Sequence, residues 1–473
     1  MMRIFKLSVL LLLVSGSVLG QSTKEKCKCS VLLKEAIQKV STIYAGFDDK
    51  VTPATLPEYN NFLAALNKEA SSIDNERRCF ETIEKYTSWF KDHHVEAWFG
   101  IQSSAASIPK VPLSEVTSVN SLKSNNELEG IWSTADKKEQ YAIIKDKSQV
   151  NKYLAVTIKS PDSAWLPGMV KVEFYNYDNT LKLYRGMYYQ NNFSGVLSGF
   201  TVNNDKIDHW FGHSWYREKK GNHLQDGKAE SEETVLFKSL NKDFVYLKLG
   251  KFNQNDVDKL DSLIRTNRAI IQSTKNLILD LRGNPGGNSS SSQEMIKLIY
   301  TNPIIYPAWK YRSSPEFISS KKALLTKLSK NDPNKRLESE QRLLQKLIKH
   351  PGQLVSGGDS AVRTVDSVSR YPERIALLVN KGSGSSSEFF TFESKQSKKV
   401  TLFGENTAGV MDYGEVQNFN LSCGQYIVSI PWGRNGWIER FGFRIDNIGF
   451  VPDVPIPSTQ RDWVQFVVDH WSK

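Results

Sequence analysis

Leu277-Ile278-Leu279-Asp280-Leu281-Arg282-Gly283-Asn284-Pro285-Gly286-Gly287 opens as a continuous apolar run and closes as a turn rich in glycine. A short run of branched apolar residues bounded by turn residues reads as a strand buried on both faces. Consecutive glycines after such a strand let backbone N–H groups approach a ligand and point together, a nest suited to an oxyanion. The same residues also suit a tight strand-to-helix connection.

The pattern continues on both sides. Phe244–Leu249 reads as a strand and Asp256–Ile271 as an amphipathic helix, then Ser290–Tyr300 as a helix after the quoted run. Ile375–Val379 reads as another buried strand, followed by a helix at Ser386–Lys395 and a strand at Val400–Phe403. This alternation predicts a layered sheet covered by helices. Between Val379 and Phe390 lies Asn380-Lys381-Gly382-Ser383-Gly384-Ser385-Ser386-Ser387-Glu388. A serine at such a turn sits at a helix N-terminus, where free N–H groups stabilise developing negative charge. It suits a nucleophile, and it equally suits an ordinary N-cap. A helical insertion at 313–365 interrupts the alternation. Within it, residues 319–350 carry nine Lys/Arg against three Asp/Glu, a local +6, which reads as a solvated face or a cover over the site rather than a nucleic-acid surface.

Upstream the texture differs. Leu32, Leu33, Ile37 and Val40, and later Phe80, Ile83, Tyr86 and Phe90, recur at helical spacing. From Gly130 to Arg217, short alternating runs such as Tyr153–Ile158, Val170–Phe174 and Leu181–Tyr184 predict an antiparallel β barrel or sandwich. Its aromatics, Trp132, Trp165, Tyr188, Trp210 and Trp215, suit core packing or a ligand groove. At the start, Arg3 and Lys6 precede an apolar stretch, Leu7–Val14, and small residues up to Gly20, the pattern of a secretory signal peptide. No later run is long and apolar enough to suggest a membrane span. The predicted division is a signal peptide at 1–20, a helical region at 21–100, a linker at 101–128, a β module at 129–225 and an α/β core at 226–473. The fold class is multidomain α+β.

The 473 residues, 39% hydrophobic and 24% charged, exclude wholesale disorder. The formal charge of +11, +9 without the leader's Arg3 and Lys6, is a mild basic bias. Four cysteines exclude a disulfide scaffold. In an exported chain, Cys27 or Cys29 is expected to pair with Cys79, leaving Cys423 as a core thiol. No clustered ligand set suggests a metal.

The two turns together resemble the secreted C-terminal-processing (tail-specific) serine peptidases and the tricorn core peptidase, over 232–457 and a segment near 94. Asp280-x-Arg282-x-Asn284-x-Gly286-Gly287 is followed by the serine-rich turn ending in Ser385-x-x-Glu388, then Gly404-Glu405-Asn406-Thr407-Ala408-Gly409 and Gly449-Phe450-Val451-Pro452-Asp453. The resemblance implies a core of the ClpP/crotonase-like type, Ser385 as nucleophile, and an oxyanion hole from the Ser386 N–H with Gly286 or Gly287. Processing peptidases carry a lysine base about 25 residues past the serine, where this chain has Val410. The resemblance therefore points to the tricorn-like branch, with His94 of Asp92-His93-His94-Val95 as base, Asp446 as its orienting acid and His93 at the auxiliary position. The function expected is an exported, periplasmic or extracellular serine endopeptidase acting on peptides or proteins, with no cofactor and no nucleic-acid partner. The alternative is a weak or inactive peptidase scaffold that binds peptides, lipids or glycans.

Overall fold

The computed structural model describes residues 27–117, 127–134, 137–178, 183–203, 205–209, 214–218, 234–287, 292–328, 336–457, 460 and 462–472. The predicted signal peptide, Trp210 and the serines just after Gly287 lie outside these residues.

Three helices, Cys29–Ile43, Leu56–Ser71 and Glu76–Ser88, form the N-terminal layer. Leu32, Leu33, Ala36, Val40 and Ile43 line one stripe of the first helix and are fully buried, as a 3.6-residue period requires. Asn75 caps the third by accepting the Arg78 N–H at 3.1 Å. This region ends in a strand, Glu96–Ile101, which pairs antiparallel with Tyr426–Ser429 and then with Gly195–Val196. It thereby joins the helices, the β module and a long hairpin, Tyr413–Asn420 with Tyr426–Arg434.

The β module is a closed barrel. Strands Gly130–Thr134, Gln140–Lys145, Tyr153–Lys159, Val170–Asp178, Leu183–Tyr189, Gly195–Asn203, Lys206–His209 and Trp215–Arg217 pair antiparallel in chain order, and the last returns to the first. Closure removes free sheet edges. Trp132 and Trp215 are buried in its core with Tyr141, Phe174 and Phe200, so these two tryptophans pack the interior. The stretch read as a linker carries a short helix, Leu113–Thr117, and Lys110 bridges to Met169.

The C-terminal unit is a six-stranded sheet ordered Val235–Ser239, Phe244–Leu249, Asn276–Asp280, Arg374–Val379, Val400–Gly404 and Val454–Pro455. Its first pair is antiparallel and the rest are parallel. Asn276–Asp280 is buried at every position, which explains why it reads as an unbroken apolar run. The insertion supplies the helices Pro315–Leu325 and Arg336–Lys349.

The cysteine expectation needs correction. Cys29 pairs with Cys79, but Cys423 is not free: it is bonded to Cys27, 396 residues away. The pairing of Tyr426–Arg434 with Glu96–Ile101 carries the hairpin tip over the first helix, where the Ser422 N–H donates to Glu35 Oε2 at 2.7 Å. A cross-link closing so long a loop restricts the unfolded chain strongly. Cys423→Ser is expected to cost about 2–4 kcal/mol, read as an earlier urea midpoint under non-reducing conditions. An unchanged midpoint would show that the hairpin contacts hold this corner without the bond.

Candidate active site

Asn276–Asp280 and Arg374–Val379 are parallel neighbours, with Asp280 opposite Leu378. The turns that follow them therefore emerge side by side at the carboxyl edge of the sheet, where α/β folds bind ligands. The first turn is braced from within. Asp280, 2% exposed, accepts from Arg282 Nε at 2.9 Å and from Tyr246 OH at 2.9 Å. Asn284, fully buried, donates to the Leu249 carbonyl at 2.8 Å and accepts the Gly286 N–H at 2.9 Å.

The second turn is sewn onto the first by serines. Ser383 Oγ donates to the Leu281 carbonyl at 2.8 Å, Ser387 Oγ to the Asn284 carbonyl at 2.8 Å and Ser386 Oγ to the Gly287 carbonyl at 3.0 Å. Ser385 is different: among the described residues its hydroxyl contacts only Met411 Sδ, at 4.0 Å. It caps the helix Ser386–Lys395 at φ 51° and ψ −116°, a conformation that costs a residue other than glycine about 1–3 kcal/mol. Gly286, at φ +99°, makes room for it: a Cβ there would lie 2.7 Å from both Ser385 Cβ and Ser386 N.

Glu388, fully buried in the same helix, holds the opposite wall. It accepts from Thr407 Oγ1 at 2.5 Å, from the Gly409 N–H at 2.6 Å and from the Val410 N–H at 2.9 Å. Burial pushes its carboxyl pKa up, and these three donors pull it back. Asp412, also fully buried, accepts from Trp437 Nε1 at 2.8 Å and from the N–H groups of Ile445 and Asp446 at 3.1 Å. It thereby pins the 445–446 segment beside the hairpin.

His94 enters from the N-terminal region. Its backbone N–H donates to Asp92 Oδ1 at 2.8 Å, and its Nδ1 lies 2.7 Å from the Tyr413 carbonyl. Burial lowers the His94 pKa, while the Tyr413 and Val410 carbonyls and Asp446 oppose that shift. His93 is likewise lowered by burial. Asp446 does not reach His94 as an orienting partner. It forms an ion pair with Lys50, and burial pushes its carboxyl up to about 6 against the pull of Lys50. His93, His94, Gly287 and Ser385 line one cleft of about 1320 Å³, together with Trp98 and Val410; Gly286 and Ser386 adjoin it. The Gly286 N–H is committed to Asn284 Oδ1, and among the described residues the Gly287 N–H has no acceptor, which makes it the available member of the glycine pair.

Lys50, Glu388 and Asp412 shape this site, yet neither Lys50 nor Asp412 stands out in the sequence. Lys50 is 396 residues from its partner, and Asp412 acts on backbone groups that carry no side-chain signal. Glu388 was legible only as part of the serine-rich motif.

Asp92 is buried and accepts from Tyr44 OH at 2.8 Å. Burial pushes it up to about 6, against the pull of the His94 N–H, Tyr44 and Lys50. A carboxyl with a raised folded pKa binds its proton more readily in the folded state. Its contribution to stability therefore falls as pH rises from about 4 to about 6 and is level above that. Asp92→Asn is expected to remove this part of the slope, so that wild type loses stability relative to the variant across that window. Urea denaturation at several pH values reads it, and parallel profiles would contradict it.

Residues 243–456 match the sequence profile of Peptidase family S41. A probable CtpA-like serine protease of Staphylococcus haemolyticus is 23% identical over 46% of this chain and 34% of its own length. Carboxyl-terminal-processing peptidase 2, chloroplastic, of Arabidopsis thaliana is 25% identical over 45% of this chain and 32% of its own. The chain thus spans about a third of the length of these relatives. The crystal structure of mature CPAF superposes with a TM-score of 0.51 at 14% identity, covering 92% of this chain and 93% of that one. The profile match is confined to residues 243–456, and the superposition shows a shared fold.

These relatives correct the expected mechanism. The S41/CtpA family works through a Ser/Lys dyad, not a His-based triad, so the arrangement of His94 as base and Asp446 as its orienting acid is withdrawn. The geometry agrees, since Asp446 is bound to Lys50 and the Nδ1 of His94 to a backbone carbonyl. At the position where the processing peptidases carry lysine stands Val410, 8% exposed.

Proposed function

We propose that this chain is an exported serine peptidase of the S41 kind, in which Ser385 Oγ attacks a peptide carbonyl, the peptide C–N bond breaks, the amine departs with the proton given up by the hydroxyl, and the acyl-enzyme left behind is hydrolysed by water. The Ser386 and Gly287 N–H groups receive the oxyanion. The observation that carries this reading is the Ser385 hydroxyl, which among the described residues has only the Met411 sulfur as partner at a strained helix N-terminus, while Ser383, Ser386 and Ser387 each donate to a carbonyl. The substrate is a peptide or protein lying in the cleft. His93, exposed on its wall, is assigned to substrate contact. The reaction as proposed uses no cofactor. We read the six-stranded unit as a ClpP/crotonase-like core within 226–473, preceded by the barrel at 129–225, the connection at 101–128, the helical region at 21–100 and a signal peptide at 1–20. Two disulfides fit an oxidising compartment, either periplasmic or extracellular.

A second reading is a scaffold that binds peptides without cleaving them. It is favoured by Val410 at the dyad-lysine position, because valine takes no proton. One experiment separates the two: treatment of the folded protein with a fluorophosphonate probe, followed by peptide mapping. An adduct on Ser385 is expected. Saturable peptide binding with no adduct would establish the scaffold reading instead.

A further inference from the structure

A second cavity, of about 540 Å³, opens on the other side of Ser385. It shares His94, Gly287, Ser385 and Val416 with the main cleft; Trp309, Phe389 and Met411 form its apolar wall, and Ser386, Gly414 and Glu415 complete a lining in which polar groups also face the space. Resting on the reading of Ser385 as nucleophile, we infer that this cavity receives the side chain of the residue whose carbonyl is attacked, and that it selects a large uncharged apolar side chain.

Position supports the assignment. Ser386 and Gly287, the two oxyanion donors, are themselves part of the cavity wall. A carbonyl oxygen held between them places the substituent on the adjoining carbon at the cavity mouth. The contact of Ser385 Oγ with Met411 Sδ lies on this side. Because the two cavities meet at Ser385, one takes this side chain while the other holds the remaining chain.

The walls set the chemistry. Phe389 lies one helical turn past Ser385 and is held by Tyr306 at 5.9 Å and Trp437 at 6.5 Å between ring centroids. Trp309 lies against two glycines of the hairpin: a Cβ on Gly414 or Gly433 would come within 3.0 Å of its ring. The backbone before it is clamped as well, since a Cβ on Gly436 would lie 2.2 Å from the Ala308 carbonyl oxygen. Aromatic and thioether surfaces fixed in this way favour apolar partners. Glu415 is exposed on the rim, at φ 59°, and its carboxylate disfavours acidic side chains.

The test uses matched peptides that differ only in the residue on the acyl side of the cleaved bond: Phe, Leu, Ala, Asp or Lys. They are assayed with wild type, Trp309→Ala and Gly414→Val, with Ser385 labelling measured in parallel. Wild type is expected to prefer Phe and Leu over Ala by about tenfold or more in kcat/KM, with Asp poorest. Trp309→Ala should cut the Phe-to-Ala ratio about tenfold by removing a wall. Gly414→Val, whose side chain projects between Trp309 and Met411, should cut it by filling the space, and it serves alone if Trp309→Ala does not fold. Labelled Ser385 with equal rates on all five peptides, a preference for Lys, or a ratio unchanged in the folded variants would overturn the pocket assignment. Absence of labelling in wild type would instead remove the nucleophile and the pocket with it.

Discussion

Ser385→Ala is expected to abolish fluorophosphonate incorporation and to lower peptide hydrolysis by a factor on the order of 10⁴ or more, with the fold intact. The hydroxyl makes no hydrogen bond to nitrogen or oxygen among the described residues, so its removal leaves no buried group unpaired. The expected change in stability is within about 0.5 kcal/mol. Ser383, Ser386 and Ser387 make the contrast. Each donates to a carbonyl of the neighbouring turn, and loss of such a bond costs about 1 kcal/mol. Alanine at Ser387, which is fully buried, should therefore lower the melting temperature, whereas alanine at Ser385 should not. Wild-type hydrolysis retained in Ser385→Ala would move the nucleophile elsewhere.

Gly286→Ala is expected to lower kcat by about 10²–10³, the range for loss of one oxyanion donor. Two effects act together. The added methyl group would lie 2.7 Å from Ser385 Cβ and from Ser386 N, so the serine and the N–H beside it must move or be covered. The position also has φ +99°, which an L-residue adopts only under strain. Gly424→Ala separates these contributions. Gly424 lies at φ +56° with nothing within 4 Å of its would-be Cβ, so it carries the backbone strain without the collision. A loss of about 1 kcal/mol in stability is expected there, with hydrolysis retained. Steady-state rates and thermal melts on the two variants read the difference. If both lose activity equally, the collision at Ser385 is not the cause.

The α/β unit was legible because its strands are buried on both faces and announce themselves as apolar runs, as in Asn276–Asp280 and Arg374–Val379. The β module was legible as alternation, but barrel and sandwich share that alternation. Only the return of Trp215–Arg217 to Gly130–Thr134 separates them. Cys423 was misread because its partner is set by the hairpin's pairing with Glu96–Ile101, a contact with no local signature. The expected triad failed for a related reason. His94 and Asp446 were matched by motif position, whereas Asp446 answers to Lys50, a lysine on the short helix Phe47–Lys50 with no motif around it.

Local composition by itself determined the order of elements, the glycine turn after Asp280 and the helix starting after Ser385. Each depends on the preferences of neighbouring residues, namely burial of apolar runs, the conformational freedom of glycine and the capping of a helix start. Tertiary structure alone decided which serine lacks a nitrogen or oxygen partner among the described residues, which glycine N–H has no acceptor among them, and which side chains wall the cavity beside Ser385. Those outcomes depend on which groups meet across the sheet, where Asn284 takes the Gly286 N–H and three serines find carbonyls on the neighbouring turn. Such pairings are set by the register of parallel strands nearly a hundred residues apart, and that register is not written in either turn alone.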